Sequence, residues 1–204
     1  MPEVTPLSIA AFVSGGGTNL QSIIDAIEAK DIPNAKISAV VSSNDKAYAL
    51  DRAKIHGLDF AVFAKKDYAG DADRTQDLLG YLQEREIDLI VLCGSLMILP
   101  DELINAYERR IINVHPSLLP AFGGRGFYGL KVHEAVLARG VKITGATVHF
   151  VNNVIDGGEI ILQRAIDVLD SDTPESLQKR VMEECERKIL PLAVKMFAER
   201  KMLR

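Results

Sequence analysis

Ser8-Ile9-Ala10-Ala11-Phe12-Val13, running into Ser14-Gly15-Gly16-Gly17-Thr18-Asn19, decides the fold class. A short, nearly continuous apolar run bounded by a turn signal reads as a strand buried on both faces. Three consecutive glycines then turn the chain. From residue 19 to 30 the apolar side chains Leu20, Ile23, Ile24 and Ile27 recur at helical spacing. Strand, glycine turn and amphipathic helix make the opening of a βαβ unit, which implies a parallel sheet.

The same alternation continues outward. Strands are expected at residues 37–41, 60–63, 88–93 and 111–114, with helices at 47–56, 74–84 and 100–107 between them. Residues 122–129 form a glycine-rich loop, readable as a mobile lid or as a long connection. A helix is expected at 132–139, then two long strands at 143–151 and 159–168 around the turn Asp156-Gly157-Gly158. The last helix starts at Pro174, with Thr173 as its N-cap. The expectation is an α/β fold, single-domain and Rossmann-like, over residues 1–204. Its twisted sheet is mostly parallel with helices on both faces, and antiparallel strands fall in the C-terminal half.

Composition narrows the function. The 204 residues are 48% hydrophobic with a formal charge of −4. Mean hydropathy is +0.08 and the isoelectric point about 5.6. That balance argues against nucleic acid as a partner, which calls for a basic face. Lys65-Lys66, Arg109-Arg110 and Arg187-Lys188 are short clusters that suit solvated faces. No apolar run reaches membrane-spanning length, and residues 1–5 lack the basic start of a signal peptide. Cys93 and Cys185 are far apart and outside any Cys-x-x-Cys pattern, which suits reduced thiols and a cytoplasmic protein. His56, His115, His133 and His149 show no metal-ligand spacing, so no metal is expected.

Ile111-Ile112-Asn113-Val114-His115-Pro116-Ser117-Leu118-Leu119-Pro120 carries the strongest chemical signal. Residues two apart on a strand share a face, so Asn113 and His115 point the same way. Pro116 ends the strand there, and ligands of open α/β sheets gather beyond strand carboxyl ends. An amide donor beside an imidazole suits acyl-type transfer: the amide binds a developing oxyanion, and the imidazole moves protons.

The Gly15–Gly17 run precedes a helix N-terminus, where exposed backbone N–H groups favour an anion. It is not a dinucleotide fingerprint. The third glycine would fall at Leu20, and Val41-Ser42-Ser43-Asn44 offers no acid for a ribose diol. One phosphate, assisted by Thr18 and Asn19, fits better, with a plain strand–helix turn as the alternative. Asp156 is either a turn residue or a partner that favours the charged form of His115. Glu186, in the last helix, sits either on a solvated face or in a site. His149, in an alternating strand, is placed to be buried beside a site.

Together these motifs resemble the folate-dependent formyltransferases. Asn113-Val114-His115-Pro116-Ser117-Leu118-Leu119-Pro120 is similar to the family signature. The runs from Ser14 to Leu20, from Gly145 to Val151 and from Asp156 to Gly158 follow in that family's order and spacing. The likeness is to its single-domain members of purine synthesis. It implies formyl transfer from 10-formyltetrahydrofolate to the glycinamide amine of 5'-phosphoribosylglycinamide, through direct amine attack and a tetrahedral intermediate.

By that resemblance Gly17, Thr18 and Asn19 bind the ribonucleotide phosphate and Glu186 contacts the same substrate. Asn113, His115 and Asp156 are catalytic. Leu96, Met97, Ile98 and Leu99, with Asn113, line the folate site. Residues 1–114 would form the phosphate-binding half and 115–204 the folate-site and C-terminal helix half, working as monomer or homodimer. The chain departs from the pattern at Met97, where many members carry Arg, and near Asp71, where Arg74 is the nearest substitute for an expected Arg. The loop 123–128 is also longer than in the shortest members. The competing readings are a formyltetrahydrofolate hydrolase, another formyltransferase, and a non-catalytic module that binds nucleotide phosphate.

Overall fold

A computed structural model describes residues 5–202. The strands are β1 (Leu7–Val13), β2 (Ala35–Ser42), β3 (Phe60–Val62), β4 (Leu89–Leu92), β5 (Ile111–His115), β6 (Ile143–Phe150) and β7 (Ile160–Asp167). They stand in the order β3-β2-β1-β4-β5-β6-β7. The helices are α1 (Thr18–Glu28), α2 (Tyr48–Ile55), α3 (Asp71–Glu84), α4 (Asp101–Ala106), α5 (Leu130–Arg139), α6 (Pro174–Val181) and α7 (Arg187–Met202). A single 3-10 turn covers Lys65–Asp67, and a π-helical segment, Met182–Glu186, joins α6 to α7. The fold is the expected α/β class: a mixed sheet, mostly parallel, with antiparallel C-terminal strands.

The described residues divide into two compact units: 5–112 with 194–202, and Asn113–Ala193. In the first, β1 pairs in parallel with β2 and with β4, and β2 with β3. Every residue of β1 and β4 is buried, which is why both read as unbroken apolar runs. Each β-to-α crossover returns the chain to start the next parallel strand.

In the second unit, β6 and β7 pair antiparallel from Ile143↔Asp167 to His149↔Ile160, with a register shift between Val148 and His149. Such an irregularity re-aims the side chain beside it. Gly145 is the tightest point of this ladder. A Cβ there would collide with the Arg164 carbonyl oxygen and lie 2.9 Å from the Ala165 Cα. The helical run from Pro174 is well started. Thr173 accepts from the Ser176 N–H at 3.2 Å, and Ser176 returns the favour to the Thr173 N–H at 2.8 Å. The run is then under-wound once, where the Arg187 N–H reaches back to the Met182 carbonyl. Cys185 and Glu186, the last two residues of that segment, are both buried.

Gly145→Ala should lower Tm by roughly 2–10 °C, because overpacking against backbone costs about 1–3 kcal/mol. Gly80→Ala, mid-α3 with no atom within 4 Å of the new Cβ, should leave Tm unchanged or raise it. Thermal unfolding of the two variants checks the contrast.

Candidate active site

The glycine loop lies in the first unit. Gly17, at φ +73°, is the N-cap of α1, and the first helical bond is the Gln21 N–H to the Gly17 carbonyl at 2.9 Å. The N–H groups before Gln21 therefore have no partner within the helix and face outward at its positive end. Gly15 and Gly16 are exposed, Thr18 is half-buried and Asn19 is buried. The Leu96 N–H donates to the Ser14 Oγ at 2.9 Å, tying residues 96–99 to the loop. Leu96 and Ile98 are 67% and 77% exposed, while Met97 and Leu99 are buried. The folate segment expected from sequence thus presents two of its four side chains outward. Arg74 lies 3.6 Å from the Asp71 carboxylate on the first turn of α3.

The polar cluster lies in the second unit. His149 sits 3.1 Å from Asn113 through its Nε2 and 2.8 Å from the Phe150 carbonyl through its Nδ1. A carbonyl only accepts, so Nδ1 carries the proton. Burial pushes the His149 imidazole below its ordinary range, and the charge of His115 adds to this. The Phe150 carbonyl and the Asp156 carboxylate oppose it. His149 is therefore neutral, its Nε2 accepts, and the Asn113 Nδ2 must be the donor. This chain fixes which way the Asn113 amide faces. Its second N–H remains for another acceptor.

His115 is 4% exposed. Its Nε2 donates to the Phe122 carbonyl at 2.8 Å, and its Nδ1 faces the Asp156 Oδ2 at 3.6 Å. The carboxylate is itself held by the Gly124 N–H, which donates to Oδ2 at 2.8 Å, while Oδ1 lies 3.7 Å from the unprotonated His149 Nε2. A proton arriving at the His115 Nδ1 makes an ion pair with a carboxylate that is only 11% exposed. The glycine-rich loop 122–129 therefore enters the cluster at its first residues rather than hanging free of it. Gly123 has no room for a side chain, because a Cβ would strike Leu119 and lie 3.4 Å from the Asp156 Cβ.

Behind this layer, Thr147 secures the segment after His115. Its hydroxyl donates to the Ser117 carbonyl at 2.7 Å and accepts from the Leu119 N–H at 3.0 Å. Gln163, opposite it on β7, donates to the Leu119 carbonyl at 2.9 Å. Thr147 and His149 are two apart on β6 and share a face, by the same alternation that pairs Asn113 with His115. The alternation was readable in the sequence, and His149 is buried beside Asn113 and Asp156 as its strand position suggested. Phe122 and Gly124 act through their backbones, which leave no such mark. Glu186 is buried in the π-helical segment. Cys93 and Cys185 are free and buried. Burial pushes the Cys93 thiol far up and that of Cys185 to about 11, so neither forms a thiolate near neutral pH. Among the described residues no group of His, Cys, Asp and Glu could hold a metal ion, and no helix is long and apolar enough to cross a membrane.

His133, on α5, is fully buried, and neither ring nitrogen has a hydrogen-bond partner among the described residues. Burial, then the charge of His115, pushes its pKa down to about 4. In the unfolded chain a histidine titrates near 6.5, so between about 6.5 and 4 the unfolded state binds the extra proton. Stability therefore falls as pH drops through that window. Urea unfolding at pH 7 and 4.5 should show a loss on the order of 2 kcal/mol from this residue. His133→Leu should flatten the acid limb by that amount.

A family profile described as formyl transferase matches residues 7–194. The chain is 40% identical over 191 residues to the phosphoribosylglycinamide formyltransferase of Haemophilus influenzae, covering 94% of this chain and 87% of that one. It is 42% identical over 176 residues to the chloroplastic phosphoribosylglycinamide formyltransferase of Vigna unguiculata. That match covers 86% of this chain, which spans only 56% of the plant protein's length. The crystal structure of glycinamide ribonucleotide transformylase 1 from Symbiobacterium toebii superposes with a TM-score of 0.89 at 38% identity, covering 97% of this chain and 90% of that one.

Proposed function

The chain belongs to the formyl transferase family, and on that footing we propose that it transfers the formyl group of 10-formyltetrahydrofolate to the glycinamide amine of 5'-phosphoribosylglycinamide, a step of purine synthesis. The observation that carries this reading is the Phe150–His149–Asn113 hydrogen-bond chain standing beside the His115–Asp156 pair. It combines an oriented amide donor with a carboxylate-backed imidazole, the two groups that direct amine attack on a formyl carbon requires.

In this reading the free N–H of Asn113 donates to the oxygen as the attacked carbon becomes tetrahedral. His115 takes the proton leaving the amine at Nδ1 and returns one to the departing folate nitrogen. Asp156 balances the charge meanwhile. No covalent enzyme intermediate is needed, and positioning supplies much of the rate. Gly17, Thr18 and Asn19 hold the ribonucleotide phosphate, and Glu186 contacts the same substrate. Leu96 and Ile98, with their exposed apolar side chains, suit the flat ring of a folate, with Met97 and Leu99 supporting them from below. Residues 1–114 and 115–204 are the phosphate and folate halves of one formyltransferase domain. The protein works on small molecules alone, in the cytoplasm, as a monomer or homodimer, without metal, nucleic acid or membrane.

A spectrophotometric assay with a 10-formylfolate donor, run with and without the ribonucleotide, tests this. Folate product that appears only with the ribonucleotide is expected. Product formed equally without it would mean a hydrolase instead. No product, with the ribonucleotide still bound, would leave a phosphate-binding module or another formyl acceptor. Asn113→Ala should lower kcat by about 10²–10³-fold, the usual loss for an oxyanion donor. His115→Ala should lower it by about 10²–10⁴-fold.

A further inference from the structure

We propose that Arg52 is a positioning residue that presets the glycine loop for the acceptor's phosphate; this rests on the phosphate reading of Gly17, Thr18 and Asn19. The Arg52 Nε donates to the Gly16 carbonyl at 2.8 Å, and the Ala49 N–H, one turn earlier on α2, donates to the Gly15 carbonyl at 3.0 Å. In a trans peptide the carbonyl of one residue and the N–H of the next point in opposite directions. With both carbonyls drawn onto α2, the N–H groups of Gly16 and Gly17 are turned away from it. They add to the positive end of the α1 dipole as donors for an anion.

The loop has no slack to turn back. A Cβ on Gly17 would stand 2.7 Å from the Ala49 Cβ and 3.2 Å from the Arg52 Cδ. Arg52 is itself braced. Its Nη1 donates to the Gln21 Oε1 at 2.9 Å, and its guanidinium lies over the Tyr48 ring at 5.3 Å from the centroid. Gln21 is the residue whose backbone N–H closes the first turn of α1 on the Gly17 carbonyl, and its side-chain amide donates to Asp25 at 2.8 Å. One guanidinium thus bridges the middle of the loop and the helix that follows it. This needs two donors in a fixed fork, which Arg has and Lys lacks.

The consequence is lower affinity for the phosphate-bearing substrate when the fork is lost, with the chemistry little changed, because preorganisation is what the clamp supplies. Arg52→Met should raise the KM for the ribonucleotide about tenfold and weaken competition by inorganic phosphate by the same factor. kcat and the KM for 10-formyltetrahydrofolate should stay within about threefold. Arg52→Lys, which keeps the charge but not the fork, should behave like Arg52→Met. A general structural defect would instead move kcat and both KM values together. If Arg52→Met does not fold, Gln21→Leu carries the test, with a rise of about threefold in the ribonucleotide KM expected from losing the brace alone. Unchanged ribonucleotide KM in the folded variant, or full affinity in Arg52→Lys, would overturn the proposal. Failure of inorganic phosphate and ribose 5-phosphate to compete in the unmutated protein would instead overturn the phosphate reading beneath it.

Discussion

A neutral histidine in the middle of the second unit controls the direction of the amide that is proposed to bind the oxyanion. His149 spends its one proton on the Phe150 carbonyl, so its other nitrogen can only accept, and Asn113 can only donate to it. Protonating His149 would place two donors face to face. Burial prevents that by disfavouring the imidazolium. The site therefore holds one histidine neutral by burial and another, His115, against a carboxylate that can balance a proton. The environments of the two rings, not their chemistry, divide the work between them.

Close backbone approach is what allows those side chains to meet. Gly158 lies so near the Phe150 carbonyl that a Cβ would collide with it, and a Cβ on Gly157 would stand 2.6 Å from the Val154 Cγ1. The two glycines after Asp156 let the 151–159 connection fold back over the end of β6 and deliver the carboxylate to the histidines. Asp156 itself adopts a positive φ of 54°, a conformation that Asp tolerates better than most residues. The same logic operates on the first unit's loop, where Gly17 is the only residue type that fits beneath α2.

Much of this was legible in the chain. Unbroken apolar runs at β1 and β4 identified parallel strands, and β6 and β7 fall within a residue or two of their expected limits. Alternation put Asn113 and His115 on one face, and their partners His149 and Asp156 confirm that shared direction. Three features left weaker traces. Asp156 sits in an Asp-Gly pair that reads as an ordinary turn, because local composition cannot report a partner 41 residues away. Phe122 and Gly124 contribute a carbonyl and an N–H, which every residue has. The π-helical segment around Glu186 inserts one residue into a helical pattern, and the apolar spacing around it still looks helical.

The central claim is that His149 is neutral with its proton on Nδ1, and histidine side-chain ¹⁵N chemical shifts measure that state directly. The account predicts that the ring signals lost from the spectrum in His149→Gln are those of a neutral imidazole in the Nδ1–H form at neutral pH. An imidazolium at neutral pH, or a proton on Nε2, would leave the Asn113 amide free to face the other way and would contradict it.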